Sequence, residues 1–157
     1  MNHDWIAQYG HVWRVFDRIV ATFDDGAWLR AGRGACTPAR LAFHILHATM
    51  YYLQESGATP FASGKPFDAD CYAVPEQDLP SRADVRAAIA VWTAKTDGWL
   101  STMDPDAAND AFEWAGKTRG GVALFLLRHT MYHLGELGSI LNESRNGDVE
   151  DIYVKTL

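Results

Sequence analysis

Cysteine is scarce in this chain: there are two in 157 residues, Cys36 and Cys71. They lie outside any Cys-x-x-Cys spacing, which argues against a zinc ribbon, and two such residues make no disulfide framework. Both are expected as thiols. No base is predicted beside either, so a cysteine nucleophile is not expected. A basic cluster is also missing, with 14 Lys and Arg against 20 Asp and Glu and a formal charge of -6. Phosphate binding needs a basic footprint, so nucleic acid is not an expected partner. Long apolar runs are absent too. Val122 to Leu127 is interrupted by Arg128 and His129, far short of the ~18 residues a membrane span requires. The first residues, Met1-Asn-His-Asp-Trp5, carry neither a basic n-region nor an apolar h-region, so no secretory signal is expected. The expectation is a cytoplasmic protein with no membrane partner.

What the chain does have is apolar and aromatic content, with 48% hydrophobic residues and six tryptophans. That composition fits a packed interior, and the length fits one domain over residues 1–157. Trp5, Val12, Phe16, Ile19 and Phe23 recur at helical spacing, with Trp13 and Val20 widening the stripe, which predicts a first helix from about Asp4 to Phe23. Asp24, Asp25 and Gly26 should end it, before the Gly/Arg-rich link 31–35. Thr37 followed by Pro38 reads as an N-cap with proline at the first helical position. Helix two is then expected to reach about Ser56, with Gly57 as its stop.

Residues 57–80 carry prolines at 60, 66, 75 and 80 and glycines at 57 and 64, which no helix survives. This segment is read as a crossover, since it is longer than the ~2–8 residues that usually join helices in bundles. Ser81 with Asp84 is an N-terminal capping signature. Val85, Ile89, Trp92, Trp99 and Met103 mark the inner stripe of helix three, which Asp104-Pro105 should end. Residues 105–117 hold Phe112 and Trp114, so this loop is expected to fold over something apolar. Helix four should run from about Thr118 to Glu143, closed by Asn146-Gly147. Ile152, Tyr153 and Val154 in the tail suit either a short strand or a packed turn. The fold class is therefore all-α, a four-helix bundle with a long crossover between helices two and three, a type whose core can host metal sites.

Helix four carries the chemistry, in Arg128-His-Thr-Met-Tyr-His-Leu-Gly-Glu136. His129 and His133 are four apart and project from one helix face about one turn apart, a metal-ligand spacing. Glu136 follows on the same arc, as do Val122, Phe125, Leu126 and Ile140, so the histidines are expected to point inward. Burying unpaired polar groups costs roughly 1–3 kcal/mol each, and these must find partners. Helix two offers His44 and His47, whose headings differ by ~60°, and periodicity does not choose between them. His3 and His11 on helix one are expected to be structural or solvated. Arg40 and Arg128 flank the histidines. They read first as solvated arginines and second as clamps for an anionic substrate.

A histidine near the start of helix two resembles a known pattern when followed seven and eight residues later by the pair Tyr51-Tyr52, a proline-rich crossover, and His129-x-x-x-His133-x-Gly135. The family is the DinB-like (DinB/YfiT-type) superfamily of metalloenzymes, and the likeness covers nearly the whole chain. The resemblance implies a three-histidine divalent-metal site in a four-helix bundle. It selects His44 over His47 through the aromatic pair, with His129 and His133 as the other ligands. Where members often carry Gln after the glycine, this chain has Glu136. That carboxylate could orient a ligand imidazole, accept a proton or join the metal.

Three neutral imidazoles leave coordination positions open, as in catalytic zinc sites. Imidazole suits several divalent ions, with Zn²⁺ or Ni²⁺ the first expectation and Fe²⁺ next. The resemblance further implies work on a small-molecule substrate with a low-molecular-weight thiol. The expected activity is a metal-dependent thiol S-transferase, or otherwise a hydrolase using metal-bound water. The alternative is a non-catalytic metal-binding bundle acting in stress response or partner binding. A metal-free bundle with a buried His/Glu network stands third. A homodimer is the expected assembly.

Overall fold

Four long amphipathic stretches become four long helices in the computed structural model, which describes residues 3–32, 36–55, 59–61, 71–147 and 150–157. They are α1 (His3–Thr22), α3 (Pro38–Tyr52), α4 (Arg82–Thr102) and α5 (Arg119–Ser144), with one-turn helices α2 (Asp25–Trp28) and α6 (Ile152–Lys155). Single 3-10 turns occur at Glu76–Asp78 and Glu113–Ala115. Among the described residues there is no strand, only an isolated antiparallel bridge between Ala108 and Thr118. No helix among the described residues is long and apolar enough to cross a membrane.

Caps explain where the helices begin, those at Thr37 and Ser81 as predicted. Thr37 Oγ1 accepts the backbone N–H of Arg40 at 3.2 Å, with Pro38 following at the first helical position. Ser81 and Asp84 form a reciprocal capping box at the head of α4, and Thr118 caps α5 through the N–H of Gly121. Such a cap contributes about 1 kcal/mol. Gly120 is required by a close approach, because a Cβ there would meet Trp5 at 2.9 Å and the Pro105 carbonyl at 3.0 Å.

Packing places α1 against α4 and α5, and α3 against α5 and α4, so α1 and α3 stand at opposite corners of the bundle. The core between them includes Phe16, Val20, Phe43, Ile45, Leu46, Val85, Leu126, Leu137 and Leu141, all fully buried. Each large apolar side chain buried there contributes about 1.5–3 kcal/mol.

Several boundaries differ from expectation for identifiable reasons. Helix α1 ends at Thr22, just before Asp24-Asp25-Gly26 as expected, but a further short helix opens at Asp25. Asp24 caps a new short helix by accepting the Ala27 N–H at 2.7 Å, which turns Trp28 into the core. Helix α3 ends at Tyr52 rather than near Ser56, and the left-handed residue that closes it is Gln54, at φ +56°. Gly57, the expected stop, lies outside the described residues, as do Gly64 and Pro66. The tail resolves as the packed turn α6, held to α1 by His11 and Arg14. His11 Nε2–H donates to the Tyr153 carbonyl at 3.0 Å, and Arg14 Nε–H donates to the Thr156 carbonyl at 3.0 Å. His11 is thus buried and structural.

Phe112 folds back over Tyr52, Trp99 and Phe125, as its loop's composition predicts, while Trp114 stays exposed and donates its indole N–H to the Tyr52 hydroxyl. The described parts of the segment between α3 and α4 also belong to the core. Phe61 packs on Phe43, the Pro60 carbonyl accepts the Trp92 indole N–H at 2.7 Å, and the Pro80 carbonyl accepts that of Trp28 at 2.9 Å.

Candidate metal centre

Helix α5 carries two neighbouring stripes. Its fully core-facing residues are Ala123, Leu126, Thr130, Leu134, Leu137 and Leu141. At ~100° per residue, His129, His133 and Glu136 lie about a quarter turn away from the centre of that set. They are half-buried. The histidines therefore do not point into the centre of the bundle as their apolar neighbours suggest; they stand at its edge. Leu134 and Leu137, one residue on from His133 and Glu136, take the core positions. On α3 the same division holds: Phe43 and Ile45 enter the core, and His44 between them is half-buried toward α5.

These placements bring three ring nitrogens together. His44 Nε2 lies 3.1 Å from His129 Nε2, which lies 3.2 Å from His133 Nε2. The three residues offer ligand atoms all within 4.8 Å of one another and can hold a metal ion. Tetrahedral coordination with bonds of 2.0–2.1 Å separates neighbouring nitrogens by about 3.3 Å, close to these distances. His47 is not in this group. It packs edge-on against Phe43 instead.

The outer sides of the rings differ. His133 Nδ1 is 2.6 Å from Glu136 Oε2. Because a carboxylate only accepts, Nδ1 carries the proton and a neutral His133 presents a bare Nε2 to the group. Glu136 thus engages the nitrogen remote from the other imidazoles and is not a member of the trio. His44 Nδ1 is 3.5 Å from Cys71 Sγ. His129 Nδ1 is buried with no hydrogen-bond partner among the described residues. Each ring also has an aromatic neighbour: Tyr72 by His44, Tyr132 by His133, and Phe125 stacked at 17° on His129. Phe125 continues into a cluster with Tyr52 and Phe112 that reaches the surface at Tyr51 and Trp114.

Protons alone satisfy this centre poorly. With Nδ1 of His133 protonated, both short N···N contacts become hydrogen bonds only if a single His129 Nε2–H is shared between the other two rings. A cation among three bare nitrogens satisfies all of them at once. The residues therefore fit a divalent metal of the kind imidazole binds.

Burial, and then the charges of His133, His129 and His47, push His44 down from 6.5 to about 4. Burial and then His133 do the same to His129, also to about 4. Both rings are thus neutral near pH 7, the form that ligates metal. Between about pH 6.5 and 4 the unfolded chain binds these protons and the folded chain does not. Stability of the metal-free protein should therefore fall as pH drops through that window and level off below it. Thermal melts between pH 7 and 5 should show the fall, and the double variant His44→Asn/His129→Asn should flatten it; an equal slope in both proteins would refute the assignment.

A sequence model of the DinB superfamily matches residues 8–137. The chain belongs to the DinB superfamily. The match takes in most of α1, all of α3 and α4, and the part of α5 that carries His129, His133 and Glu136. Neither the curated proteins nor the solved structures compared with this DinB chain gave a match.

Two site neighbours were not visible in the sequence. Cys71 and Tyr72 sit in a proline-rich stretch without periodicity, so nothing in the residue pattern points them toward His44. This corrects the expectation that no base lies beside either cysteine. Arg40 is not a solvated arginine: its guanidinium donates to the carbonyls of Cys71 at 2.6 Å and Val74 at 2.9 Å. Arg128 is exposed. A Cβ added at Gly135, the glycine shared with the family pattern, would meet nothing within 4 Å, and no packing reason for that glycine is visible.

Proposed function

We propose that this DinB-superfamily protein is a divalent-metal-dependent enzyme, with His44, His129 and His133 as the ligands and thiol S-transfer as the reaction. The observation that carries the metal assignment is the convergence of three imidazoles at the edge of the bundle, with His129 Nε2 at 3.1 Å from His44 Nε2 and 3.2 Å from His133 Nε2. An edge position suits a reactant better than a closed structural site would, because it keeps coordination positions within reach of solvent.

A divalent ion held by the three imidazoles would supply Lewis acidity toward an incoming thiol or water. The remaining work falls to side chains of this chain. Glu136 holds His133 in the tautomer with a bare Nε2. The second oxygen of that half-buried carboxylate is the group we assign to receive the thiol proton as sulfur bonds to the electrophilic carbon and the leaving group departs. Phe125, stacked on His129, covers one face of that ring, and Tyr72 and Tyr132 lie against the other two imidazoles. The aromatic cluster running from Phe125 to Tyr51 and Trp114 supplies a wall for an apolar electrophile.

The test is turnover of low-molecular-weight thiols with an alkylating electrophile by the Zn²⁺- or Ni²⁺-loaded protein. Activity that disappears on chelation and in His133→Ala is expected. Stoichiometric metal binding without turnover of any thiol would replace this reading with that of a non-catalytic metal-binding bundle. Metal-dependent ester or amide hydrolysis in place of thiol transfer would assign the same centre to activation of water.

A further inference from the structure

We infer that Cys71 is a positioning residue for the histidine centre, accepting the outer N–H of His44 and so fixing that ring's tautomer and heading. The inference rests on the metal reading above. Its geometry has two parts. Cys71 is buried at 2% exposure with Sγ 3.5 Å from His44 Nδ1. Its main chain is tied to the same helix that carries His44, through the two Arg40 hydrogen bonds to the Cys71 and Val74 carbonyls. Arg40 and His44 are four residues apart on α3 and share a face. The guanidinium therefore seizes the segment one turn before the imidazole, and the segment delivers its thiol to the imidazole's outer nitrogen.

The direction of the hydrogen bond is set by the inner side of the ring. His44 Nε2 faces His129, and Nε2 ligates only when it is bare, which places the proton of the neutral ring on Nδ1. The sulfur is then the acceptor. Cys71 holds the place at His44 that Glu136 holds at His133, as a neutral acceptor instead of a charged one. The three imidazoles are consequently unequal: one backed by a carboxylate, one by a thiol, and His129 with no partner at Nδ1 among the described residues. The segment holding Cys71 thereby contributes to the metal centre without supplying a ligand.

The experiment uses the full chain stripped of metal. Zn²⁺ dissociation constants are measured by competition with a chromophoric chelator, and Co²⁺ visible spectra are recorded, for wild type, Cys71→Ala, Cys71→Val and Cys71→Ser. Melting of each metal-free variant is measured separately. Cys71→Ala and Cys71→Val, which lack an acceptor, should bind Zn²⁺ about 10–100-fold more weakly and shift the Co²⁺ bands. Cys71→Ser, which keeps an acceptor, should recover most of the affinity. If Cys71→Ala is too unstable to study, the comparison of Cys71→Val with Cys71→Ser carries the test. Wild-type affinity in the Ala or Val variant, with only the metal-free melting lowered, would make Cys71 a packing residue and overturn the inference. No Zn²⁺ binding by the wild-type chain would overturn the metal reading itself, a distinct result.

Discussion

His133→Ala is expected to abolish stoichiometric metal binding while leaving the helical fold intact. Losing an outer partner of a ligand imidazole costs about 10–100-fold in affinity, and losing the ligand costs more. The cleanest readout is the metal-induced rise in melting temperature. A ligand at 100 times its dissociation constant stabilises the native state by about 2.7 kcal/mol, which for a chain of this length is a rise of roughly 5–10 °C. Wild type should show that rise with Zn²⁺, and His133→Ala should show almost none under the same conditions. His44→Ala and His129→Ala should behave alike, because each supplies one of the three converging nitrogens. His47→Ala should keep the rise, since His47 packs against Phe43 outside the trio. A full metal-induced shift in His133→Ala would remove His133 from the site.

Phe43→Ala should produce the largest loss of stability among the changes near the centre. Phe43 is fully buried and packs edge-on against Phe61 from the connecting segment. Truncating a buried phenylalanine costs about 3–5 kcal/mol, a fall in melting temperature of roughly 6–20 °C for a chain of this length. One position along, His44→Ala should lower the metal-free melting temperature far less, because it removes a half-buried polar ring and relieves a crowded nitrogen cluster. Thermal denaturation of the two metal-free variants side by side tests how α3 divides its faces. Equal losses would mean that His44 is a core residue like its neighbour.

The sequence was informative wherever a local rule acts on a few residues. Ser81-x-x-Asp84 and Thr37-Pro38 mark helix starts because caps are short-range hydrogen bonds, and the apolar stripes of α1 and α4 show which faces are covered. The pair His129/His133 is similarly local, since helical geometry alone puts the two rings on one side. Two kinds of feature were beyond that reach. Which side of an apolar stripe a polar residue occupies depends on a quarter turn of helix, and apolar neighbours on both sides of His129 hide the difference. Which loop residue meets a helix depends on chain folding at a distance. Arg40 reads like any arginine in a first helical turn until the carbonyls of Cys71 and Val74 are seen on it, and Cys71 reads like an isolated thiol until it is placed on His44. Glu136 lies between these cases. Its spacing from His133 allows contact, and only the structure shows that it meets the outer nitrogen, Nδ1, of that ring.

The central claim is that three imidazoles from α3 and α5 surround a divalent ion. Elemental analysis of the protein, purified without an affinity metal and then equilibrated with excess Zn²⁺ and desalted, tests it most directly. The account predicts about one divalent ion per chain in wild type and almost none when His44, His129 and His133 are all changed to alanine. Equal metal content in the two proteins, or none in either, would contradict it.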